Sequence, residues 1–437
     1  MSVTALAGRL RAGELSPREA VEAYLERIEA NRDLNAYITV RGEEARAEAE
    51  AAESASTPRG PLWGVPVSVK DVIDVAGTRT TAASEILREN VATRDAVVVQ
   101  RLRAAGAIVL GKLNLHEFAY GALTTSPHFG ATHNPWALDR ICGGSSGGSG
   151  AAAAADLAAG TLGTDTAGSI RIPAAFCGVT GHRPTTGLVS NDGVVPVSWT
   201  FDTVGPIARS AGDCSLLLEA IAPGFRSEAE GGAARVGLVT SLLEQADPYV
   251  AAVVEAGAGE LGAQAVDAPV LEHAGLIQQL IMLPEAAAVH LPWLRTRLAD
   301  YGADVRARLL AGLLLPATAY PTGLRARGWL AEQVQPLFER YDLLAAPTMP
   351  IVAPLIGEDP VEVAGKRVPY RLTLIPFNSP WSCLGLPVAS VPCGFVDELP
   401  VGLALAGRPG GDATVLRAAQ AFQRATDWHE RRPPEAI

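Results

Sequence analysis

The run of glycines and serines from Cys142 to Gly150 constrains the fold of this 437-residue chain more than any other segment. Five of its nine residues are glycine, and the others include Ser145, Ser146 and Ser149. Glycine loses more conformational freedom on folding than any other residue, so it is retained where the backbone bends sharply or approaches another group closely. The run therefore predicts a tightly packed segment of backbone at a functional site.

Two other segments carry reactive side chains in unusual surroundings. A compact block, Gly163–Arg171, follows the run, and Lys70 lies before it in the apolar segment Val65–Asp71. The chain has only three lysines among its 36 basic residues, so a lysine placed among valines is informative. Burial can leave a lysine uncharged near pH 7, whereas an arginine keeps its charge. Together the three segments indicate a site of chemistry.

The composition excludes several classes of protein. Hydrophobic residues make up 48% of the chain and charged residues 19%, which allows a large core and argues against disorder. A formal net charge of -11 argues against direct binding of nucleic acid. The five cysteines include no C-x-x-C pair, which is typical of reduced thiols. The N-terminal segment lacks an apolar signal-peptide region, and no uncharged apolar stretch of about 18 residues follows. We therefore expect a cytoplasmic protein without a membrane span.

Strand-like and helical patterns alternate along the chain. Ser16, Pro17 and Glu19 have the spacing of a capped helix start, and we expect Asp95 to cap a helix that ends at Ala105. Strands are expected at 65–69, 107–110, 162–164, 235–239, 342–346, 389–392 and 401–406, and further helices at 43–54, 248–261, 285–314 and 411–425. This alternation predicts an α/β fold with a mixed sheet.

Three patterns suggest other functions. The segment 106–112 fits G-x-x-x-x-G-K, but Leu113 stands where a phosphate-binding loop needs Ser or Thr. The glycine and serine run fits G-x-S-x-G without the buried strand that precedes a nucleophile elbow. The candidate bases for such a serine are His273, His290 and His429. His128 and His133 have no obvious third ligand, so we expect no metal.

An uncharged Lys70 offers a different way to activate a serine. Amide cleavage needs a nucleophile, an oxyanion site and a proton donor for the leaving amine. Lysine serves as the base near pH 7 only if its pKa falls by about three units, which burial among valines can supply. The alternative is that Lys70 pairs with Asp71 or Asp74 at the edge of an element.

The chain resembles the amidase signature family in three motifs, which occur in the family's order and spacing. They are Lys70, the run Gly143–Ser149 and the segment Thr164–Pro173. The flanking segments that agree with the family are Gly111–Phe118, Asn134–Trp136, Ala174–Gly178, Tyr341–Pro350 and Leu386–Pro409. The resemblance implies a mixed sheet sandwiched by α-helices in one domain over residues 1–437. Its parts would be a signature core at about 64–209, a helical elaboration at about 245–335 and a C-terminal sheet-and-helix segment at about 340–430.

The resemblance also implies a Ser-cisSer-Lys triad. Ser169 would be the nucleophile, Ser145 the bridging serine on a cis peptide after Gly144, and Lys70 the base. The oxyanion and substrate-binding residues would be Thr166, Ala167, Gly168 and Ser146, together with the Ser169 amide. The supporting residues would be Asp165 and Arg171, which brace the turn by ionic hydrogen bonds unless they form a surface pair.

We therefore expect an amidase that hydrolyses a small carboxamide to a carboxylate and ammonia or an amine, without a cofactor. Ala167 stands where many members of the family have glycine. In this respect the chain resembles amidases of small ureides, such as allophanate hydrolase. The transamidating member of the family, which supplies ammonia for aminoacyl-tRNA, is also similar, but it tends to have Asp at the position of His116 and Gln at that of Ile172. A glutamine-hydrolysing protein of this kind, working with a partner, is thus one alternative, and a catalytically silent scaffold is another.

We expect the chain to bind a small amide, and we expect no direct binding of nucleic acid and no membrane contact. The chain is also compatible with a homodimer. We expect the segment Phe377–Trp381, together with the stretch between Gly212 and Tyr341, to shape the acyl pocket.

Overall fold

The computed structural model describes residues 1–54, 60–227 and 232–434. Helices and strands alternate along these residues, which confirms the predicted α/β class. The helices are α1 (Val3–Arg11), α2 (Pro17–Ala30), α3 (Gly42–Glu53), α4 (Val97–Ala104), α5 (Gly147–Ala154), α6 (Arg171–Cys177), α7 (Ala211–Ile221), α8 (Thr240–Leu243), α9 (Pro248–Gly259), α10 (Ala274–Thr296), α11 (Ala303–Leu314), α12 (Ala319–Arg340), α13 (Tyr370–Cys383) and α14 (Asp412–Ala425). The strands are β1 (Tyr37–Val40), β2 (Pro66–Lys70), β3 (Ile108–Leu113), β4 (Thr125–Ser126), β5 (Gly130–Ala131), β6 (His133–Asn134), β7 (Ala137–Ile141), β8 (Gly160–Asp165), β9 (Thr180–Arg183), β10 (Thr203–Ala208), β11 (Val236–Val239), β12 (Gln264–Val266), β13 (Leu343–Pro347), β14 (Val361–Val363), β15 (Lys366–Val368), β16 (Val388–Val396) and β17 (Leu399–Gly407).

Eleven of the described strands form one sheet, in the order β1-β3-β2-β8-β10-β9-β16-β17-β13-β11-β12. Strand β2 runs parallel to β3 and β8, and β11 runs parallel to β12 and β13. The other neighbours in this sheet are antiparallel, including β8 with β10 and β16 with β17. The sheet is therefore mixed, as predicted.

The strands that carry the expected motifs lie in the interior of the molecule. Every residue of β2, β3, β8 and β10 is buried. Helix α5 contacts β8, and α6 and α7 contact β9. Apolar runs such as that of β2 are typical of strands covered on both faces. The site residues on these strands are consequently shielded from bulk water.

Most predicted elements are present, with two corrections at their boundaries. Ser16 caps α2 as expected, since its hydroxyl accepts from the Glu19 amide at 3.1 Å and the Glu19 carboxylate accepts from the Ser16 amide at 2.8 Å. Asp95 does not cap α4, because the N-cap is Ala96 and the Asp95 carboxylate accepts from the Ala76 amide at 2.8 Å. The helix expected at 285–314 is two helices, α10 and α11.

The sequence patterns did not predict α13, and they predicted α12 only as part of the helical elaboration at about 245–335. Helix α13 contains Pro376 and Pro380, and α12 contains Pro336. A proline inside a helix removes one backbone hydrogen bond and normally marks a helix end. Packing compensates for that loss, because α10 contacts both helices.

One described segment, Pro269–Thr296, is long and apolar enough to cross a membrane by length and composition alone. It includes α10, which packs against α11, α12 and α13, and 56% of its most apolar window is buried. Its buried Glu285 accepts hydrogen bonds from Thr200 at 2.5 Å and Tyr320 at 2.9 Å. We interpret this segment as a core helix.

Candidate active site

Three neighbouring strands bring distant parts of the chain together where their ends meet, along one edge of the sheet. Strand β2 ends at Lys70, and the parallel strand β8 ends at Asp165. Strand β10 is antiparallel to β8 and pairs Thr203 with Asp165, so Asp202 lies at the same edge. Sites in α/β proteins commonly lie beyond the carboxyl ends of parallel strands. The topology therefore concentrates polar side chains at this edge.

Lys70 is completely buried, and it is hydrogen-bonded to two hydroxyl groups. Its Nζ lies 2.6 Å from Ser145 Oγ and 2.8 Å from Thr164 Oγ1. Burial lowers the pKa of Lys70 to about 7, although Asp165 and Asp202 act in the opposite direction. A fraction of Lys70 is therefore uncharged at neutral pH, as a base at this position requires.

The other buried lysine accounts for the carboxylate next to Lys70. Lys112 Nζ lies 2.7 Å from Asp71 Oδ1, and both side chains are completely buried. Lys112 also donates to Thr80 Oγ1 at 2.9 Å. The alternative in which Lys70 pairs with Asp71 is therefore wrong. Asp71 neutralises Lys112, and Lys70 forms its hydrogen bonds with Ser145 and Thr164 instead.

Replacing Lys112 by methionine should destabilise the protein by about 3–5 kcal/mol, because it leaves the Asp71 carboxylate buried without a partner. Urea unfolding monitored by circular dichroism measures this loss. Lys366 is exposed and provides a matched control, since its replacement by methionine should change stability by less than about 0.5 kcal/mol. A loss below about 1 kcal/mol for Lys112→Met would contradict the structural role of the buried pair.

The glycine and serine run passes through a narrow space before it enters α5. The peptide between Gly144 and Ser145 is cis, in agreement with the resemblance. A Cβ atom on Gly144 would lie 2.7 Å from the carbonyl carbon of Ala122, so the backbone passes too closely for any side chain there. Ser149 is the third residue of α5. Close packing thus explains why this run needs glycine.

Ser146 braces the strand beside it and does not line a cavity. Its hydroxyl donates to the Thr164 carbonyl at 3.2 Å and accepts from the Thr164 amide at 3.3 Å. The side chain is completely buried. The assignment of Ser146 to substrate binding is therefore wrong, and its position is that of a supporting residue.

No histidine takes the place of the base. The His290 ring is bonded to Tyr301 at 2.9 Å, and His273 packs against Trp329. Within residues 1–54, 60–227 and 232–434, no cluster of three potential metal ligands is present. Lys70 is the titratable side chain that contacts Ser145.

The turn after β8 presents Ser169 at the surface of a cavity. Ser169 is 8% exposed, and its carbonyl accepts from the Ser146 amide at 3.2 Å. The hydroxyls of Ser169 and Ser145 are not hydrogen-bonded to each other in the described chain. Gly168 has a φ of +117° and a Cβ there would lie 2.8 Å from Asn378, so glycine is required.

One of the amides expected to bind an oxyanion is already occupied. The Gly168 amide donates to Asp165 Oδ1 at 2.9 Å, so in this structure it is not free to bind an oxyanion. The amides of Thr166, Ala167 and Ser169 have no acceptor among the described residues. Two or three adjacent free N–H groups are what a developing oxyanion needs. The amides that are free to bind an oxyanion are therefore those of Thr166, Ala167 and Ser169.

Asp165 holds the turn in place through several charged contacts. Its carboxylate accepts from Arg171 Nε and Nη2, both at 2.9 Å, and from Arg183 Nη1 at 3.0 Å. All three side chains are completely buried, which excludes a surface pair. The two guanidinium groups and the Gly168 amide outweigh burial and hold the pKa of Asp165 well below its usual range. Asp165 therefore stays charged and keeps the turn rigid.

A cavity of about 670 Å³ opens beside the turn. Ser169, Thr166 and Ala167 form part of its wall. The other walls come from the segment 116–123, from α10 and α11, and from residues 369–375. The segment Phe377–Trp381 does not line the cavity, contrary to expectation, because it lies deeper in α13, where Asn378 packs behind Gly168.

The polar part of this cavity is set by one histidine and its neighbours. His116 Nε2 lies 2.9 Å from Asp304 Oδ2, and burial lowers the pKa of His116. Asp304 also pairs with Arg308, whose guanidinium lies over the Tyr120 ring at 5.3 Å. The cavity thus combines apolar walls with a charged patch.

Sequence reasoning missed four residues of the site. They are Thr164 as a partner of Lys70, Arg183 as a partner of Asp165, Asp202, and Gln278 on α10. Neither Asp202 nor Gln278 had a local signal, because the strand after Asp202 was not predicted and Gln278 reaches the site from a distant helix.

Comparisons with known proteins agree with this geometry. The chain matches the Amidase family model over residues 19–416. It is 39% identical over 480 aligned positions to the GatA-type chain of glutamyl-tRNA(Gln) amidotransferase from Moorella thermoacetica, covering 98% of this chain and 97% of that protein. A crystal structure of an amidase superposes with a TM-score of 0.93 at 34% identity, covering 97% of this chain and 99% of that one. The crystal structure of the corresponding amidotransferase chain from Thermotoga maritima gives a TM-score of 0.79 at 32% identity, with coverages of 94% and 92%.

A mixed sheet with this likeness to amidases defines a hydrolase of carbon–nitrogen bonds. The chain belongs to the amidase family, as the resemblance implied.

Proposed function

We propose that this enzyme hydrolyses a small carboxamide to a carboxylate and ammonia or an amine, through a Ser169–Ser145–Lys70 triad. The observation that carries the proposal is the 2.6 Å contact between the buried Lys70 Nζ and Ser145 Oγ. Burial also holds the pKa of this lysine at about 7. We place the enzyme in the cytoplasm, consistent with five cysteines that are all free and buried.

Uncharged Lys70 accepts a proton from Ser145, and Ser145 accepts one from Ser169 as Ser169 Oγ attacks the amide carbon. The carbonyl oxygen becomes an oxyanion that the amides of Thr166, Ala167 and Ser169 stabilise. The carbon–nitrogen bond then breaks, and Ser145 gives a proton to the leaving amine while Lys70 reprotonates Ser145. Water attacks the resulting ester by the same relay and releases the carboxylate and Ser169. Each cycle therefore consumes one water and no cofactor.

The cavity walls support a small acyl group. The Ala167 methyl group narrows the oxyanion side, and Ile172, Met282 and Leu374 contribute apolar surface. Asp304 and Arg308, which form an ion pair, also line the cavity. A panel of aliphatic and aromatic carboxamides, ureides and glutamine, assayed for ammonia release, tests the proposal. Hydrolysis of none of them by a folded enzyme would contradict it.

The pH profile adds a second measurement to that panel. Because only uncharged Lys70 accepts a proton, kcat/KM should rise with pH through an apparent pKa near 7 and then level off. The sign follows from the lysine losing its proton as the pH increases. A decline of kcat/KM between pH 6 and 8 would argue against lysine as the base.

A second candidate is the glutamine-hydrolysing component of a transamidation complex. The 39% identity to the amidotransferase chain from Moorella thermoacetica favours it. The higher TM-score to an amidase, 0.93 against 0.79, favours the amidase. Ammonia release from glutamine that requires a co-purifying protein would support the complex. Turnover of simple amides by the purified chain would support the amidase.

A further inference from the structure

Thr166, the first residue of the turn, is held from two sides. Its hydroxyl donates to Asp202 Oδ1 at 2.6 Å. Its carbonyl accepts from Gln278 Nε2 at 2.9 Å, and Gln278 Oε1 in turn accepts from Ser379 at 2.5 Å. These contacts join β10, α10 and α13 to a single residue of the oxyanion-binding segment.

The Asp202 carboxylate is itself fixed by the backbone. Its Oδ2 accepts from the Val197 amide at 2.8 Å and the Ser198 amide at 3.0 Å. The residue is 8% exposed. No basic side chain of the described chain forms an ion pair with it, whereas Asp165 has two arginines. Asp202 therefore contributes a buried charge that its own contacts do not neutralise.

We propose that Asp202 is a positioning residue of the amide hydrolysis, which orients Thr166 for oxyanion binding and adds, beside Asp165, to the negative charge near Lys70. This inference rests on the proposed triad. It assigns two separable effects to Asp202. One is the hydrogen bond that orients Thr166, and the other is the negative charge that raises the pKa of Lys70.

The charges around Lys70 define what the second effect should be. Asp165 and Asp202 both raise the pKa of Lys70 against the effect of burial. Arg171 and Arg183 contact Asp165 directly, and they lie in α6 and β9. Asp71, which directly follows Lys70 and the end of β2, forms the buried pair with Lys112 on β3.

Two titrating neighbours complete this environment. Burial lowers the pKa of His116, so this ring is uncharged at neutral pH. Burial raises the pKa of Asp202 to about 6, so most of its carboxylate is charged at pH 7. Asp202 is consequently the negative charge near Lys70 that a single substitution removes without freeing an arginine.

Asp202→Asn isolates the charge. An asparagine amide can turn its oxygen to the Val197 and Ser198 amides and its NH₂ group to the Thr166 hydroxyl, which then accepts. The midpoint of the kcat/KM profile should therefore move down by about 0.5–1 pH unit. Asp397, an exposed residue of the turn between β16 and β17, supplies the control. Asp397→Asn should leave both the midpoint and the plateau unchanged.

Thr166→Val tests the contact, because it keeps the shape of the side chain and removes the hydroxyl that donates to Asp202. The plateau of kcat should fall roughly 10-fold with KM unchanged, since a misplaced oxyanion donor acts in the transition state. Thr166→Ser retains the hydroxyl and should restore most of the rate. A Thr166→Val enzyme with full kcat, or an Asp202→Asn profile that overlays the wild type, would overturn the inference.

Labelling of Ser169 by a fluorophosphonate separates this inference from the proposed triad. Labelled wild-type enzyme with an unchanged Asp202→Asn profile would overturn the role of Asp202 alone. Active wild-type enzyme in which Ser169 is not labelled would remove the triad, and the inference with it. Labelling of the Asp202→Asn protein at Ser169 together with a lowered midpoint would support both.

Discussion

Lys70→Arg is expected to lower kcat/KM for amide hydrolysis by roughly 10²–10⁴-fold at every pH between 6 and 9. Arginine retains the positive charge but does not release its proton in this range, so it cannot accept one from Ser145. Initial rates of ammonia release across the pH range measure the effect. The pH-dependent rise seen for the wild type should also disappear.

Lys366→Arg makes the same substitution at an exposed position and should keep the wild-type rate. Circular dichroism and thermal unfolding of the Lys70→Arg protein distinguish a lost base from a lost fold. A folded Lys70→Arg enzyme with more than about a tenth of the wild-type rate would refute the assignment of the base.

Ser169→Ala should remove the nucleophile and reduce kcat by roughly 10⁴–10⁶-fold. The remaining rate would come from substrate binding and the oxyanion amides. A fluorophosphonate should form a covalent adduct with Ser169 in the wild type, which peptide mass spectrometry locates, and none in the Ser169→Ala protein. The reason is that Ser169 lies in the cavity wall, whereas Ser145 is completely buried.

Two other serines serve as comparisons for this variant. Ser54→Ala changes an exposed helix end and should leave both rate and labelling unchanged. Ser146→Ala removes two contacts to Thr164 and should lower stability without abolishing the adduct at Ser169. An adduct on Ser146 in the wild-type enzyme would show that the nucleophile has been misassigned.

Two of the three strands that carry the site were predictable. The predicted strands at 65–69 and 162–164 overlap β2 and β8, and each ends one residue before the strand does in the structure. Their parallel arrangement follows from the α/β alternation. The position of Asp202 did not follow, because it depends on β10 lying antiparallel to β8, which is a contact between distant segments.

Two other features were beyond a local reading of the sequence. A motif identifies Gly168 but not the direction of its amide, which donates to Asp165 Oδ1 in the structure. The prolines of α13 appear to a local reading as breaks, and tertiary packing overrides them. For α13, the deciding contacts come from α10, which lies far away in the chain.

The cavity separates recognition from chemistry in a way that affects how this enzyme could diversify. The proton relay lies at the ends of β2 and β8, whereas much of the cavity wall belongs to α10, α11 and residues 369–375. Side chains such as Met282, Ala307 and Leu372 can therefore change without contacting Lys70 or Ser145. A library confined to these walls should yield variants with new amide preferences and an unaltered reaction mechanism, which is a practical route to redirecting the catalyst.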